Sequence, residues 1–199
     1  AQPLGRYVGN ALEVVECVEV LKGTGPADLV DLSLELAAWM IYLGDAATSV
    51  EEAKELSAKL IANGAAFKKF AEIVRLQGGN EKALDDLSLL PQAQNRVDIP
   101  SAEAGQVTGM DCEKVGIASL VLGGGRERKE DDVDHAVGIV LHKKVGDKVA
   151  KGEALCTLYY NGSARLEEAR ELITASYRIG PALLKGKQPL IHRVMGHKS

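Results

Sequence analysis

Three glutamates at three-residue spacing, Glu13, Glu16 and Glu19, are the side chains whose placement suggests a binding site. Residues three apart on a helix share one face, and a face of this kind is commonly solvated. A short turn at Leu4 to Tyr7 lies just upstream and offers free backbone carbonyls. Carbonyl oxygens and one carboxylate suit a hard, weakly charged cation such as potassium. The residues leave both interpretations open, a solvated acidic face and a cation site.

The glycine run Leu122-Gly-Gly-Gly-Arg126 has the composition of a phosphate-binding loop. A phosphate loop needs backbone N–H groups at the N-terminus of a helix, where the helix dipole is positive. Here a helical pattern precedes the glycines and none follows them. We therefore predict that the run caps the C-terminus of a helix and makes a tight turn.

The other titratable residues give no recognisable site. None of the four histidines has metal spacing with another His, Cys or carboxylate, and we predict structural or surface roles for them; they are His135, His142, His192 and His197. The acidic run 130–134 lacks the spacing of a calcium loop and is predicted to be a solvated turn.

Composition excludes several classes of function. The net charge of −4 disfavours a general nucleic-acid surface, and 4% aromatic residues provide few platforms for stacking bases. No apolar run approaches the roughly 18 residues of a membrane helix. Cys17, Cys112 and Cys156 are scattered and odd in number, which predicts three reduced, buried thiols and a cytoplasmic protein.

Apolar periodicity predicts four helices in the first ninety residues. Val8, Leu12, Val15 and Val18 recur at helical spacing until Gly23 to Pro26 ends the run. The second helix follows Pro26, and its apolar residues spread around most of its circumference, so we expect it to be largely buried. A third begins at a Ser49–Glu52 capping box and stops at Asn63-Gly64, and a fourth ends at Gly78-Gly79.

Beyond Leu90-Pro91 the pattern changes to short β-branched runs separated by glycine and charged turns. Strands are predicted at 106–108, 138–142, 155–160 and 189–194, with helices at 113–122 and 163–176. The predicted class is thus α/β (α+β), with one domain over residues 1–90 and a second over residues 91–199.

The stretch His142 to Leu155 resembles the barrel-sandwich hairpins of biotinyl and lipoyl carrier domains. Those carriers present a modified lysine in a tight hairpin one strand further on. At that point this chain has Tyr159-Tyr-Asn-Gly162 and no lysine. The architecture is expected to be shared, whereas the carrier function is disfavoured.

Four segments together resemble the pyrimidine-nucleoside phosphorylases, a family that includes thymidine phosphorylase. They are Gln2-Pro-Leu-Gly-Arg-Tyr-Val-Gly-Asn-Ala-Leu-Glu-Val14, Lys22-Gly-Thr-Gly-Pro26, Leu122-Gly-Gly-Gly-Arg126 and Val137-Gly-Ile-Val-Leu-His-Lys-Lys-Val-Gly-Asp147. They occur in the order and at the spacing of the family's C-terminal half. The resemblance implies a pentosyltransferase that catalyses reversible phosphorolysis, in which inorganic phosphate attacks the anomeric carbon of a pyrimidine nucleoside and releases the base.

The resemblance also implies a fold and partners. The chain would supply the helix-rich later part of the large α/β lobe, followed by a C-terminal α/β-hammerhead domain. The family's catalytic and substrate-binding residues precede the Gln-Pro-Leu-Gly segment, so none is assigned here. An N-terminal half of the enzyme and a second copy in a homodimer are the implied partners, and no nucleic acid or membrane is.

One site is implied by the resemblance. Some members of the family bind potassium through two carbonyls of the Pro-Leu-Gly turn and a helix carboxylate, which fall on Leu4, Tyr7 and Glu16 here. Tyr7 stands where the family pattern has a small residue, and its larger side chain is expected to shift the turn. The remaining ligands would come from the N-terminal half.

The opening residues, with no initiator methionine and an immediate Gly/Pro turn, suggest that a preceding segment delivers the chain to this point. The alternative to part of an enzyme is a stand-alone, non-catalytic hammerhead binding module. An enzyme part should expose an apolar patch where the preceding strands pack, whereas an independent module should cover it with polar residues.

Overall fold

A computed structural model describes residues 2–181 and 189–195 of the 199-residue chain. The α-helices in these ranges are α1 (Asn10–Leu21), α2 (Ala27–Leu43), α3 (Val50–Ala62), α4 (Ala65–Leu76), α5 (Cys112–Ser119) and α6 (Leu166–Ser176). The strands are β1 (Tyr7–Gly9), β2 (Asn95–Pro100), β3 (Gly105–Met110), β4 (Gly138–Leu141), β5 (Lys148–Val149), β6 (Ala154–Tyr160) and β7 (Tyr177–Gly180). None of these helices is long and apolar enough to cross a membrane.

The helices predicted for the first ninety residues are confirmed, with one correction at the start. The Ser49 hydroxyl accepts the Glu52 N–H at 3.1 Å, which is the predicted cap of α3. Val8, however, lies in β1 and pairs with Ile139, so it does not belong to α1. The helix begins only at Asn10, because Gly9 before it has a φ of 140° that no helical residue adopts.

The prediction that α2 is largely buried is wrong for the described part of the chain. Its outer side chains are exposed, with Leu36 at 57%, Met40 at 74% and Leu43 at 74%, whereas Ala38 is buried. Helix α2 packs mainly against α3, which covers one side of it. Helix α2 is therefore apolar around most of its circumference but covered on one side, and a large apolar surface of the helix is exposed.

Two antiparallel sheets form the second part. One has the strand order β1-β4-β6-β2 and the other β5-β3-β7, so the molecule is α+β. The strands predicted at 106–108, 138–142 and 155–160 are confirmed. Residues 189–195 contain no strand, contrary to the prediction, because this exposed apolar segment has no strand beside it among the described residues.

The core lies between these sheets and the helices α5 and α6. Its most deeply buried large side chains come from β4, β6, β3, α5 and α6: Ile139, Leu141, Leu158, Val107, Val115 and Ile173. Val8 of β1 packs against the same core. Strand β1 thus ties the beginning of the chain to the sheet built by its second part, and this tie positions the turn at Leu4 to Tyr7.

Candidate functional site

The turn at Leu4 to Tyr7 lies against helix α1, and each of the three spaced glutamates contacts the segment around it. The Glu16 carboxylate accepts the Arg6 N–H at 2.6 Å. Glu13 accepts the Gly9 N–H at 3.1 Å, and Glu19 accepts the Tyr7 hydroxyl at 3.2 Å. The acidic face of α1 is therefore folded onto the turn and is not simply a solvated face.

Glu16 is a buried carboxylate, with only 4% of the residue exposed. Burial raises its pKa, the N–H groups of Arg6 and Tyr7 lower it in part, and the nearby carboxylates of Asp28 and Glu19 raise it again. Among the described residues no lysine, arginine or histidine forms an ion pair with it. An ionised, buried carboxylate without a cation is costly, so this position favours a positive ligand.

Gly5 permits the close approach of the turn to Glu16. It has a φ of 68°, and a Cβ at this position would lie 2.2 Å from Glu16 Oε2. Left-handed backbone and absence of a side chain are both required here, and glycine alone satisfies both.

Among the described residues, two of the four carbonyls in the turn accept hydrogen bonds and two do not. The Arg6 carbonyl accepts the Leu141 N–H at 2.8 Å, and the Gly5 carbonyl accepts Lys144 Nζ at 2.6 Å. Hydrogen-bonded pairs alternate along an antiparallel ladder, so the next pair, Tyr7 with Val140, is not hydrogen-bonded. The backbone of Tyr7 then faces away from β4, which is consistent with its N–H lowering the pKa of Glu16.

The carbonyls left over are those of Leu4 and Tyr7. Neither accepts a hydrogen bond from a side chain or loop amide in residues 2–181 and 189–195. These are the two carbonyls that the family resemblance selects as potassium ligands. The donor set of two carbonyls and one carboxylate fits a large monovalent cation.

The bulk of Tyr7 is accommodated by α1. Its hydroxyl donates to Glu19, and burial together with the charge and hydrogen bond of Glu19 raises the Tyr7 pKa to about 12. The side chain is therefore anchored one helical turn beyond Glu16, and the ring lines an apolar cleft beside the turn.

Two residues beside the turn, Asp28 and Lys144, were not recognised from the sequence. Lys144 pairs with Asp28, whose carboxylate also accepts the Gly5 N–H at 3.3 Å. Burial raises the pKa of Asp28, but the hydrogen bond and charge of Lys144 and the N–H groups of Leu29 and Gly5 bring it below its usual range. The two residues are 116 positions apart, so no local spacing could have joined them.

The open apolar cleft beside the turn has a volume of about 750 Å³. Side chains of α1, α2 and α3 line it, together with residues of α5; among them are Val20, Leu29, Leu34, Ile41, Leu60 and Val115. Glu16 and Leu4 lie at its wall. A concave apolar surface with few polar groups is suited to an apolar partner.

The glycine run and His142 have structural roles. The glycine run continues helix α5 as a wider turn and ends it at Gly123, whose φ is 103°, so the predicted helix cap is confirmed. The His142 ring nitrogen contacts the Thr157 hydroxyl at 2.7 Å. Within the described ranges no three His, Cys, Asp or Glu side chains converge as a metal site. His197 lies outside those ranges.

The cysteines are free, as predicted, but their burial differs. Cys156 is buried, Cys17 is half-buried and Cys112 is exposed at the start of α5. Burial raises the pKa of Cys156 to about 12 and also raises that of Cys17. The expectation of three buried thiols is met only by Cys156. Cys112 is exposed because it is the first residue of α5, whose buried side chains lie further along the helix.

Comparison with known proteins matches residues 106–180 to the pyrimidine nucleoside phosphorylase C-terminal domain. The chain is 44% identical over 196 residues to the pyrimidine-nucleoside phosphorylase of Bacillus subtilis (strain 168), covering 98% of this chain and 44% of that protein. It is 48% identical over 160 residues to the protein of the same name from Staphylococcus aureus (strain USA300), covering 80% of this chain and 37% of that protein. The chain thus spans less than half the length of these curated relatives.

Proposed function

We propose that this chain is the C-terminal part of an enzyme that phosphorolyses thymidine or uridine. The proposal follows from its membership of the pyrimidine-nucleoside phosphorylase family, to whose C-terminal part it corresponds. The reaction is a reversible pentosyl transfer. Inorganic phosphate attacks the anomeric carbon, the glycosidic C–N bond breaks, and the products are the free pyrimidine and a pentose 1-phosphate. The proposal includes a cytoplasmic homodimer, and it assigns no catalytic or substrate-binding residue to this chain.

The proposed architecture has two domains. Residues 1–90 form the helical segment of the large α/β lobe, and residues 91–199 form the hammerhead domain. The two small antiparallel sheets and the turns between β4 and β6 support a hammerhead of the barrel-sandwich kind. Strand β1 pairs with β4 and thereby links the two domains.

The role proposed for the first domain is to complete the phosphate side of the cleft with a potassium ion. Glu16 and the carbonyls of Leu4 and Tyr7 would hold the ion. The observation that supports it most strongly concerns the part of the chain that the structure describes: there the buried Glu16 carboxylate has no cationic partner, and two carbonyls of the adjacent turn accept no hydrogen bond from a side chain or loop amide. When bound, potassium would supply fixed positive charge and hold the turn to α1.

The chain's own residues prepare this site. Glu16 aligns the turn by accepting the Arg6 N–H, Gly5 lets the turn approach, and Tyr7 anchors its end to Glu19. The open apolar cleft and the exposed side of α2 are the proposed contact surface for the N-terminal half of the enzyme. The apolar character of these surfaces favours the interpretation that the chain is part of an enzyme. A stand-alone hammerhead module would need polar residues there.

The proposed reaction is tested by release of free base from uridine and thymidine, with the protein at its natural length and any flanking segments included. We expect uracil or thymine to appear only when inorganic phosphate is present, with pentose 1-phosphate in equal amount. The 199-residue chain alone, shown by circular dichroism to be folded, is expected to release none. Base release without phosphate, or none from the natural-length protein, would contradict the proposal.

A further inference from the structure

Lys144 joins the turn at Leu4 to Tyr7 to the loop between β4 and β5. Its ammonium donates to the Gly5 carbonyl at 2.6 Å and pairs with the Asp28 carboxylate, and its side chain is only 14% exposed. The contact spans 139 residues of sequence. A largely buried ammonium with two partners is held in one position, so it fixes the groups that it contacts.

Both backbone polar groups of Gly5 are bound by this pair. Asp28 accepts its N–H at 3.3 Å, and Lys144 donates to its carbonyl. A second tie lies next to the first, since the Val145 N–H donates to the Gln2 side chain at 2.7 Å. The middle of the turn is therefore held from the β4–β5 loop, while the flanking carbonyls of Leu4 and Tyr7 accept no hydrogen bond from the side chains and loop amides that the structure describes.

This arrangement also keeps the positive charge of Lys144 paired with Asp28 and apart from the Glu16 carboxylate. Lys144 is balanced by Asp28 and forms no ion pair with Glu16. Within the described part of the chain, the negative charge of Glu16 is thus not cancelled by the lysine nearest to the turn. A cation bound at Glu16 would meet a neutral pair next to it and not a second free positive charge.

We propose that Lys144 is a positioning residue that orients the Leu4 and Tyr7 carbonyls toward Glu16 and so couples the second domain to potassium binding. This role rests on the proposed potassium site. Loss of a residue that orients the ligands of a metal typically lowers the affinity for that metal by about 10–100-fold. Lys144 acts on the backbone of a turn, and we expect the lower end of that range.

The test measures how potassium raises the melting temperature of the natural-length protein, at constant ionic strength with choline as the replacing cation. A ligand that binds the folded state stabilises it in proportion to ln(1 + [L]/Kd), so the titration reports potassium affinity without using activity. We expect Lys144→Met to raise the half-saturating potassium concentration about tenfold. Lys144→Arg, which retains the charge and donors, should restore at least half of that loss on a logarithmic scale.

Lys143→Met is the matched control. Lys143 is the preceding residue and also has an ion pair, with Glu153 at 2.6 Å, but it does not contact the turn. Replacing Lys143 should change the half-saturating potassium concentration by less than about twofold, because the effects of independent sites on free energy add to within about that factor. If Lys144→Met does not fold, Asp28→Asn tests the same tether, and it is also expected to weaken potassium binding.

The outcomes separate this role from the proposed function. A half-saturating concentration in Lys144→Met equal to that of the wild type, or equal losses in Lys144→Met and Lys143→Met, would overturn the positioning role. Absence of any potassium effect in the wild type would overturn the potassium site and this role together, while phosphate-dependent base release could still stand. A potassium response that Lys144→Met weakens and Lys143→Met does not, without any base release, would support the Lys144 role and remove the proposed reaction.

Discussion

Replacing Gly5 by alanine is expected to destabilise the folded protein through two separate effects. Its backbone is left-handed, which costs a residue with a side chain about 1–2 kcal/mol. The new Cβ would lie 2.2 Å from Glu16 Oε2 and 2.7 Å from its Cδ. Forcing these atoms apart displaces a buried carboxylate, and overpacking of this kind adds about 1–3 kcal/mol.

The matched control is Gly23→Ala, just after α1. Gly23 has a similar φ of 79°, but apart from its two chain neighbours no described residue has an atom within 4 Å of the position that its new Cβ would take. It should lose only the conformational part, about 1–2 kcal/mol. Urea unfolding of the natural-length protein measures both changes. Equal losses at Gly5 and Gly23 would show that the turn does not press against Glu16.

Glu16→Gln is expected to remove most of the potassium affinity while leaving the protein folded. Glutamine keeps the oxygen that accepts the Arg6 N–H but loses the charge that attracts the ion. Because the charge count of the ligands sets affinity for hard cations, the half-saturating potassium concentration should rise at least about tenfold, equivalent to about 1.4 kcal/mol. The melting temperature titration and the potassium dependence of base release both report it.

The effect of Glu16→Gln on stability without potassium has the opposite sign. Burial raises the pKa of Glu16, so the folded state binds the proton of this carboxyl more tightly than the unfolded state does. The stability from this group is present below its unfolded pKa and is lost as pH rises through its folded pKa. At pH 7 the neutral glutamine should therefore be no less stable than the wild type.

Glu13→Gln is the control for this substitution. Glu13 lies one turn earlier on α1 and also accepts a backbone N–H, from Gly9, but it is exposed. Its potassium response should match the wild type. An unchanged response in Glu16→Gln, or an equal loss in both variants, would remove Glu16 from the site.

Local patterns predicted the elements whose signals lie within a few residues. Ser49 and Glu52 predicted the start of α3 because a capping box is formed by groups three residues apart. The spacing of Glu13 and Glu16 placed them on one helix face for the same reason. Val8 was assigned to the helix because its spacing fits that pattern, whereas pairing with Ile139 decides its structure.

What these elements face depends on contacts far apart in sequence. The spacing of the glutamates does not show that Glu16 is buried by the turn, and nothing near Lys144 indicates a bond to Gly5. The apolar circumference of α2 predicted burial, but cover depends on which elements surround the helix. The Leu4 and Tyr7 carbonyls were proposed as ligands from the family resemblance, since the use of a backbone oxygen as a ligand does not require a particular residue type.

The proposed potassium site is tested most directly by locating the ion. Crystals of the natural-length protein grown with a thallium(I) salt in place of potassium would reveal the ion by its anomalous scattering. We predict a peak in contact with the Leu4 carbonyl, the Tyr7 carbonyl and the Glu16 carboxylate, and no peak there in Glu16→Gln. Thallium bound elsewhere, with these three oxygens free of it, would contradict the site.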